Sequence, residues 1–314
     1  MSKPYEGSWI IRTFLFVPGH IDKMLVKGAN SDADCVSLCL EDAVPKEEKE
    51  NARRNIREVL EKGLYKKKTV FVRINSIETG LTLKDLEGVA CKELNGFVYP
   101  MAYTPDDIKA FDAQLSLTEN HLGLVKGHFS IIVLIETPLA VLNAYEIARA
   151  SDRVVGLLFG CEDYMAEMES RYSEDERSLF VPRSMVAMAA RSAGIEAIDT
   201  PYVQVYDSEG LKRFATLGCD LGMSGMLVMT PRQIDIVQEC YTPSREKIEY
   251  ATEVVESAER ARKKGRGIVV VNDKFISPPT LKQAKKLLDR VNAIKHLEDF
   301  KKLRENNLFS IARG

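Results

Sequence analysis

The sequence predicts a (β/α)8 barrel of the TIM type that carries a C-terminal helical appendage. Three observations predict it: eight short apolar runs, stretches of helical composition between them, and a change of texture after about residue 242. Strands alternating with helices imply βαβ units in a parallel sheet. Eight such repeats suit a closed barrel better than an open doubly wound sheet.

Taken in order, the apolar runs are TFLFV (13–17), CVSLCL (35–40), TVFVRI (69–74), GFVY (96–99), SIIVLI (130–135), VVGLLF (154–159), IEAID (195–199) and CDLGMSG (219–225). A strand buried on both faces reads as such a near-continuous run. The helical stretches are 21–30, 46–62, 82–94, 105–116, 139–150, 183–193, 207–217 and 231–239. The fourth opens on Thr104-Pro105-Asp106-Asp107, where proline and acids fit a first turn. Residues 1–241 are therefore read as the barrel domain. Residues 242–314 are read as a lid or oligomerisation segment. Its parts are a charged amphipathic helix closed by Gly265 and Gly267, the run VVVNDKFISPP, and a second charged helix.

With 45% hydrophobic and 29% charged residues, the composition is that of a soluble globular protein. Lys plus Arg (44) nearly balances Asp plus Glu (46), and a net charge of −2 offers no general attraction to nucleic acid or a membrane surface. Any anionic ligand must be held locally. The N-terminal MSKPYEGSWIIRTFLFVPG lacks a basic-then-apolar signal design, and no run approaches the ~18 apolar residues that span a bilayer. The expected location is cytoplasmic. Six cysteines without a CxxC pair, mostly inside apolar runs, read as reduced core residues.

Chemistry in such barrels gathers where strands end. The strand ends carry Pro18-Gly19, Glu41-Asp42, Arg73 with Asn75, Pro100, Glu136, Glu162-Asp163 and Asp199. Several carboxylates around one mouth repel unless a cation sits among them. Oxygen donors without His or Cys point to Mg2+, or to Mn2+, held by one or two carboxylates with water and substrate completing the octahedron. Each acid taken alone also fits a helix cap or a salt bridge, but Glu136 and Asp163 end successive strands, which favours the metal. Arg73 closes TVFVRIN, where a guanidinium can grip a carboxylate or enolate with two parallel hydrogen bonds. As a purely structural partner of Glu41 or Asp42 it would need no ligand. Lys23 and Lys27, four apart on one helical face, can hold phosphates or simply be solvated.

The segments RTFLFVPGHIDKMLVKG, CVSLCLEDAVPKEEKENAR, VFVRINS, VLIETPLAVLNAYEIA, LLFGCEDYMAEM and IDTPYVQVYDSEGLKRFATLGCDLGMSG resemble, in order, the citrate lyase beta-subunit-like family of the HpcH/HpaI aldolase superfamily, which includes malyl-CoA and citramalyl-CoA lyases. The resemblance implies a Mg2+-dependent barrel, homo-oligomeric as a trimer or hexamer. It would cleave or form the bond between a CoA-thioester enolate and a 2-oxo acid. It places Glu136 and Asp163 as metal ligands, Arg73 on the oxo acid and enolate oxygen, and Asp42, beside Glu41, on metal-bound water. Phe16, Lys23 and Lys27 would meet the CoA, and Glu162 would stand behind the ligands.

Three segments depart from the family pattern. Tyr99-Pro100-Met101 replaces Leu-Pro-Lys, and Met229-Thr230-Pro231 replaces Ile-His-Pro. Ser277 stands where the tail pattern has aspartate, with Asp273 nearby as a substitute. That last change opens two alternatives, a CoA-ester-binding protein and a thioesterase of the same fold. A further alternative is an aldolase acting on free pyruvate-type enolates without CoA.

Overall fold

The computed structural model describes residues 9–173, 176–263, 270–272 and 274–311. Eight parallel strands close into a barrel in chain order: β1 (Thr13–Pro18), β2 (Cys35–Cys39), β3 (Thr69–Arg73), β4 (Gly96–Tyr99), β5 (Ser130–Ile135), β6 (Val154–Phe159), β7 (Glu196–Asp199) and β8 (Gly225–Val228). Closure is made by β1 on β8, with Phe14 opposite Leu227. The predicted barrel class is therefore observed.

Side chains alternate between the interior of the ring and the helices outside it. Phe14 and Phe71 meet edge-on inside, with centroids 6.2 Å apart. Around the ring lie α1 (Asp22–Ala29), α2 (Lys49–Glu61), α3 (Thr82–Val89), α4 (Pro105–His121), α5 (Pro138–Leu142), α6 (Ala144–Ala148), α7 (Cys161–Glu167), α8 (Arg177–Ala193), α9 (Ser208–Asp220) and α10 (Ile234–Tyr241). The start of α4 is a capping box. The Thr104 N–H donates to Asp107 Oδ2 at 2.8 Å, and Pro105 occupies the first turn, where its missing donor is not needed.

Three elements differ from the sequence reading, the first being α7 (Cys161–Glu167), which stands where no helical stretch is expected. The stretch 219–225 was expected as the eighth strand, but Cys219 and Asp220 end α9 and the strand is Gly225–Val228. A positive-φ turn at Gly222 separates the two (φ 97°), and Gly225 runs so close to β1 that a Cβ there would lie 1.7 Å from the Ile11 carbonyl oxygen. Only glycine permits that approach. The helix expected over 139–150 is divided at Asn143, whose Nδ2 donates to the Tyr103 carbonyl at 2.8 Å.

At the N-terminal rim of the barrel the charges are consumed by pairing. Arg153, just before β6, grips both oxygens of Glu119 at 2.6 and 2.7 Å, and Arg12, just before β1, does the same to Asp34 at 2.8 and 2.9 Å. Such pairs hold the strand starts in place. They leave the chemistry to the other rim.

The chain divides into two compact units, one of Ile11–Tyr241 and one of Thr242 onward together with Ile10. In the second, α11 (Arg245–Lys263) and α12 (Pro278–Ile311) pack with a two-residue hairpin, β9 (Val270–Val271) against β10 (Lys274–Phe275), around Ala251, Val254, Val271, Ile276 and Ala284. Ser277 caps α12: its Oγ accepts from the Thr280 N–H at 3.4 Å and lies 3.0 Å from Thr280 Oγ1. Gly265, Gly267 and Asp273 lie outside the described residues. No helix among the described residues is long and apolar enough to cross a membrane.

Candidate active site

A cavity of about 690 Å3 opens at the C-terminal rim, and Phe16, Lys27, Asp42, Arg73, Glu136, Glu162 and Asp163 all line it. Residues from segments that lie far apart in the chain thus share one cleft because parallel strands all end on the same side. Lys23 is exposed and does not line it, although it sits one turn before Lys27. Glu41 does not line the cleft but contacts Arg73, which does.

Glu136, the residue after β5, is 4% exposed. Its Oε1 accepts the Met101 N–H at 2.7 Å. Burial pushes its carboxyl well above the usual range, and the charges of Glu41 and Asp163 push the same way against the Met101 donor and Arg73. Met101 sits at φ 50°, the left-handed region that a side chain resists, and this turn aims its amide at the carboxylate. Opposite, Gly160, the residue after β6, lies so close that a Cβ would meet Glu136 Cβ at 2.8 Å and Oε2 at 3.1 Å. With Glu136 as the metal ligand that the family resemblance implies, Gly160→Ala is expected to displace it and weaken Mg2+ binding by about tenfold, since displacements near 1 Å cost up to a hundredfold in such sites. Calorimetric titration with Mg2+ checks this; an unchanged affinity would show that Glu136 does not depend on the approach of Gly160.

Arg73, the last residue of β3, is 8% exposed and lies with its guanidinium carbon 4.7 Å from the Phe16 ring centroid. Its Nε and Nη2 donate to Cys39 Sγ at 3.3 and 3.1 Å. Nη1 is 2.9 Å from Glu41 Oε2 but off the line of an N–H donor, so the contact is an ion pair rather than a hydrogen bond. Asp42 Oδ2 is 3.6 Å from the same nitrogen. Burial works against the arginine's charge, yet Cys39, Glu41 and Asp42 outweigh it and hold the group above its ordinary range.

Glu41 is pushed up from 4.5 to about 7, chiefly by burial, with Arg73 opposing and Asp42 adding to the shift. Its folded-state value lies above its unfolded one, so the folded protein keeps a proton that the unfolded chain has released. Stability of the metal-free protein should then fall as pH rises from about 4.5 to about 7. Thermal melts in EDTA across that window check the sign, and Glu41→Gln should flatten the profile. A wild-type midpoint that rises instead would contradict the buried, protonated Glu41.

One expectation is corrected. Asp199 is expected at the mouth, but it is fully buried in an ion pair with Arg183, Nη2 to Oδ2 at 2.5 Å, and Arg183 stacks 3.8 Å over Phe214. Cys39 is the free, buried core residue expected, and in addition its sulfur receives Arg73 and the Glu41 N–H at 3.3 Å. Neither Cys39 nor the Met101 amide carries a sequence signal: one looks like any strand cysteine, and the other is a backbone group.

Glu162, next to Asp163 in the first turn of α7, accepts the Tyr172 hydroxyl at 2.7 Å. Among the described residues no three His, Cys, Asp or Glu side chains are placed to hold a metal by themselves. The oxygen donors present, buried Glu136 and exposed Asp163 on one cleft wall, suit an ion that keeps several water or substrate ligands, as Mg2+ does.

Fold and cleft together define a barrel enzyme whose acid cluster and buried arginine suit chemistry at an anionic oxygen. Residues 12–231 match the HpcH/HpaI aldolase/citrate lyase family, and the chain belongs to it. It is an oxo-acid lyase of the carbon–carbon class. The citrate lyase subunit beta of Escherichia coli (strain K12) is 33% identical over 279 residues, covering 89% of this chain and 92% of the relative. The mitochondrial citramalyl-CoA lyase of Rattus norvegicus is 30% identical over 296 residues, 90% of this chain and 87% of the relative. The crystal structure of CitE from Mycobacterium tuberculosis with magnesium, acetoacetate and coenzyme A superposes with a TM-score of 0.72 at 26% identity, covering 90% of this chain and 98% of that one.

Proposed function

We propose that the protein is a Mg2+-dependent lyase that cleaves, or forms, a 3-hydroxyacyl-CoA of the malyl- or citramalyl-CoA type, with an acyl-CoA and a 2-oxo acid as the other side of the reaction. One observation carries the reading. A single cleft joins the acids and Arg73 at the strand ends to an apolar groove walled by Leu15, Val17, Met24 and Gly28, with Lys27 on its helix. That shape fits a small anionic head on a long, largely apolar arm ending in phosphates.

Glu136 and Asp163 would hold the metal. When bound, Mg2+ polarises the oxygens of the oxo acid as a Lewis acid. In the cleavage direction the 3-hydroxyl gives up its proton, the bond between C2 and C3 breaks, and the electron pair moves onto the thioester as an enolate that takes a proton at carbon. Arg73 would orient the oxo-acid carboxylate and meet the negative charge that develops on oxygen. Phe16 fixes the guanidinium plane, Asp42 at the open edge would order water on the metal, and Lys27, with Lys23 beside it, would meet the CoA phosphates. No covalent nucleophile is required.

The barrel, 1–241, would be the catalytic domain and 242–314 a lid or oligomerisation segment of a cytoplasmic trimer or hexamer; light scattering on the full chain reads the assembly. Purified protein with Mg2+ should release acyl-CoA and an oxo acid from a panel of 3-hydroxyacyl-CoA esters, stop in EDTA and recover on adding Mg2+. Release of free CoA without any oxo acid would point instead to a thioesterase, and CoA-ester binding without turnover to a non-catalytic binder. A silent panel sinks the lyase reading.

A further inference from the structure

Asp199 does not line the cleft, yet a short chain of hydrogen bonds leads from it to the helix that carries Asp163, which does. Arg183 of α8 grips Asp199 with Nε at 3.0 Å from Oδ1 and Nη2 at 2.5 Å from Oδ2, and Nη2 also donates to the Phe214 carbonyl of α9 at 3.0 Å. Asp199 Oδ1 in turn accepts the Thr200 N–H at 2.9 Å. Thr200, itself fully buried, accepts the Cys161 N–H on its Oγ1 at 3.0 Å. Cys161 is the first residue of α7, and Asp163 follows two positions later in the same turn.

The last of these bonds matters because α7 has no cap of its own: Gly160 precedes it and has no side chain to accept from the first turn. Two backbone donors anchor the turn instead. The Gly160 N–H goes to the Ile135 carbonyl of β5 at 2.9 Å, and the Cys161 N–H goes to Thr200 just beyond β7. Among the described residues nothing hydrogen-bonds the Asp163 carboxylate, so its place on the cleft wall is set by the helix that carries it. Cys161 and Thr200 are both buried, which keeps water from replacing the hydroxyl. Without that oxygen the amide loses its acceptor and the turn is free to shift on its β7 side. We propose that Thr200, backed by the Asp199–Arg183 pair, is a positioning group for Asp163 and thereby sets how tightly the cleft holds Mg2+. The inference rests on the reading of Glu136 and Asp163 as the metal's ligands and adds the groups that keep one of them in place.

The test is calorimetric titration of the full-length protein with Mg2+, paired with a thermal melt in EDTA. Thr200→Val keeps nearly the same shape and removes the acceptor, so Mg2+ affinity should fall by about ten- to a hundredfold, the scale on which groups behind a metal ligand act. Thr200→Ser restores the oxygen and should bind Mg2+ as the wild type does. Arg183→Lys keeps a cation beside Asp199 but loses the two-point grip, and should fall between them. Should Thr200→Val fail to fold, Thr200→Ala carries the same expectation. A Thr200→Val protein that melts lower in EDTA yet binds Mg2+ as tightly as the wild type would overturn the proposal and leave these groups purely structural. A serine variant as weak as the valine one would overturn it too. Wild-type protein that takes up no Mg2+ would instead remove the metal reading, and this inference with it.

Discussion

Glu136→Gln is expected to lower Mg2+ affinity by more than about a hundredfold and to reduce turnover at least as far, while the metal-free protein becomes no less stable. Loss of partners merely behind a ligand already costs 10- to about 100-fold, so removal of a ligand charge should cost more. The glutamine keeps the volume and keeps an oxygen for the Met101 N–H, now 2.7 Å from Oε1. What disappears is a buried charge beside Glu41 and Asp163. The Glu136 carboxyl is pushed up by burial, so above the ordinary carboxylate range its ionisation works against folding, and the neutral variant lacks that penalty. Mg2+ calorimetry and a thermal melt in EDTA, run on the same preparation, check both halves. Wild-type affinity in the variant would take Glu136 out of the metal site.

Arg73→Lys should lower kcat/KM by about ten- to a thousandfold, the equivalent of a charge-assisted contact worth about 1.5–4 kcal/mol in a water-poor site. Lysine retains the charge near Glu41 but loses the fork that reaches Cys39 Sγ at 3.1 and 3.3 Å, and with it the fixed plane over Phe16. Stability should change by less than about 1 kcal/mol, because the ammonium still neutralises Glu41. Arg73→Met provides the contrast: with no cation beside it Glu41 is held protonated more firmly rather than buried as a charge, so turnover should fall beyond the lysine variant while stability loses only the contacts that Arg73 makes to Cys39 and Glu41. Kinetics with a hydroxyacyl-CoA substrate and urea unfolding separate the two effects. A lysine variant that turns over normally but unfolds readily would make Arg73 a structural ion-pair partner only.

The sequence by itself determined the barrel. Runs such as SIIVLI and VVGLLF, buried on both faces, cannot belong to a half-exposed sheet, and helical stretches between eight of them leave few other closed solutions. It also determined that acids and an arginine stand at the strand ends, because parallel strands put all those ends on one rim. The eighth strand was misplaced because CDLGMSG mixes helix end, turn and strand start. Its true bounds follow from the close approach of Gly225 to Ile11 across the closure.

What only the tertiary structure decided is which of those charges share the cleft. Asp163 and Asp199 have the same sequence signature, an acid after an apolar strand. Yet Asp199 finds Arg183 on the neighbouring helix and is withdrawn, while Asp163, three residues beyond Gly160, stays on the cleft wall. Arg73 reaches Cys39 across the β2–β3 register, and Glu136 receives an amide from Met101 on the adjacent loop. Lys27 lines the cleft and Lys23 does not, though both lie on α1. Each of these is a contact between residues distant in sequence, or a donor of the backbone itself. Closure of the ring brings such groups within hydrogen-bonding distance, and no local pattern of side chains records that distance.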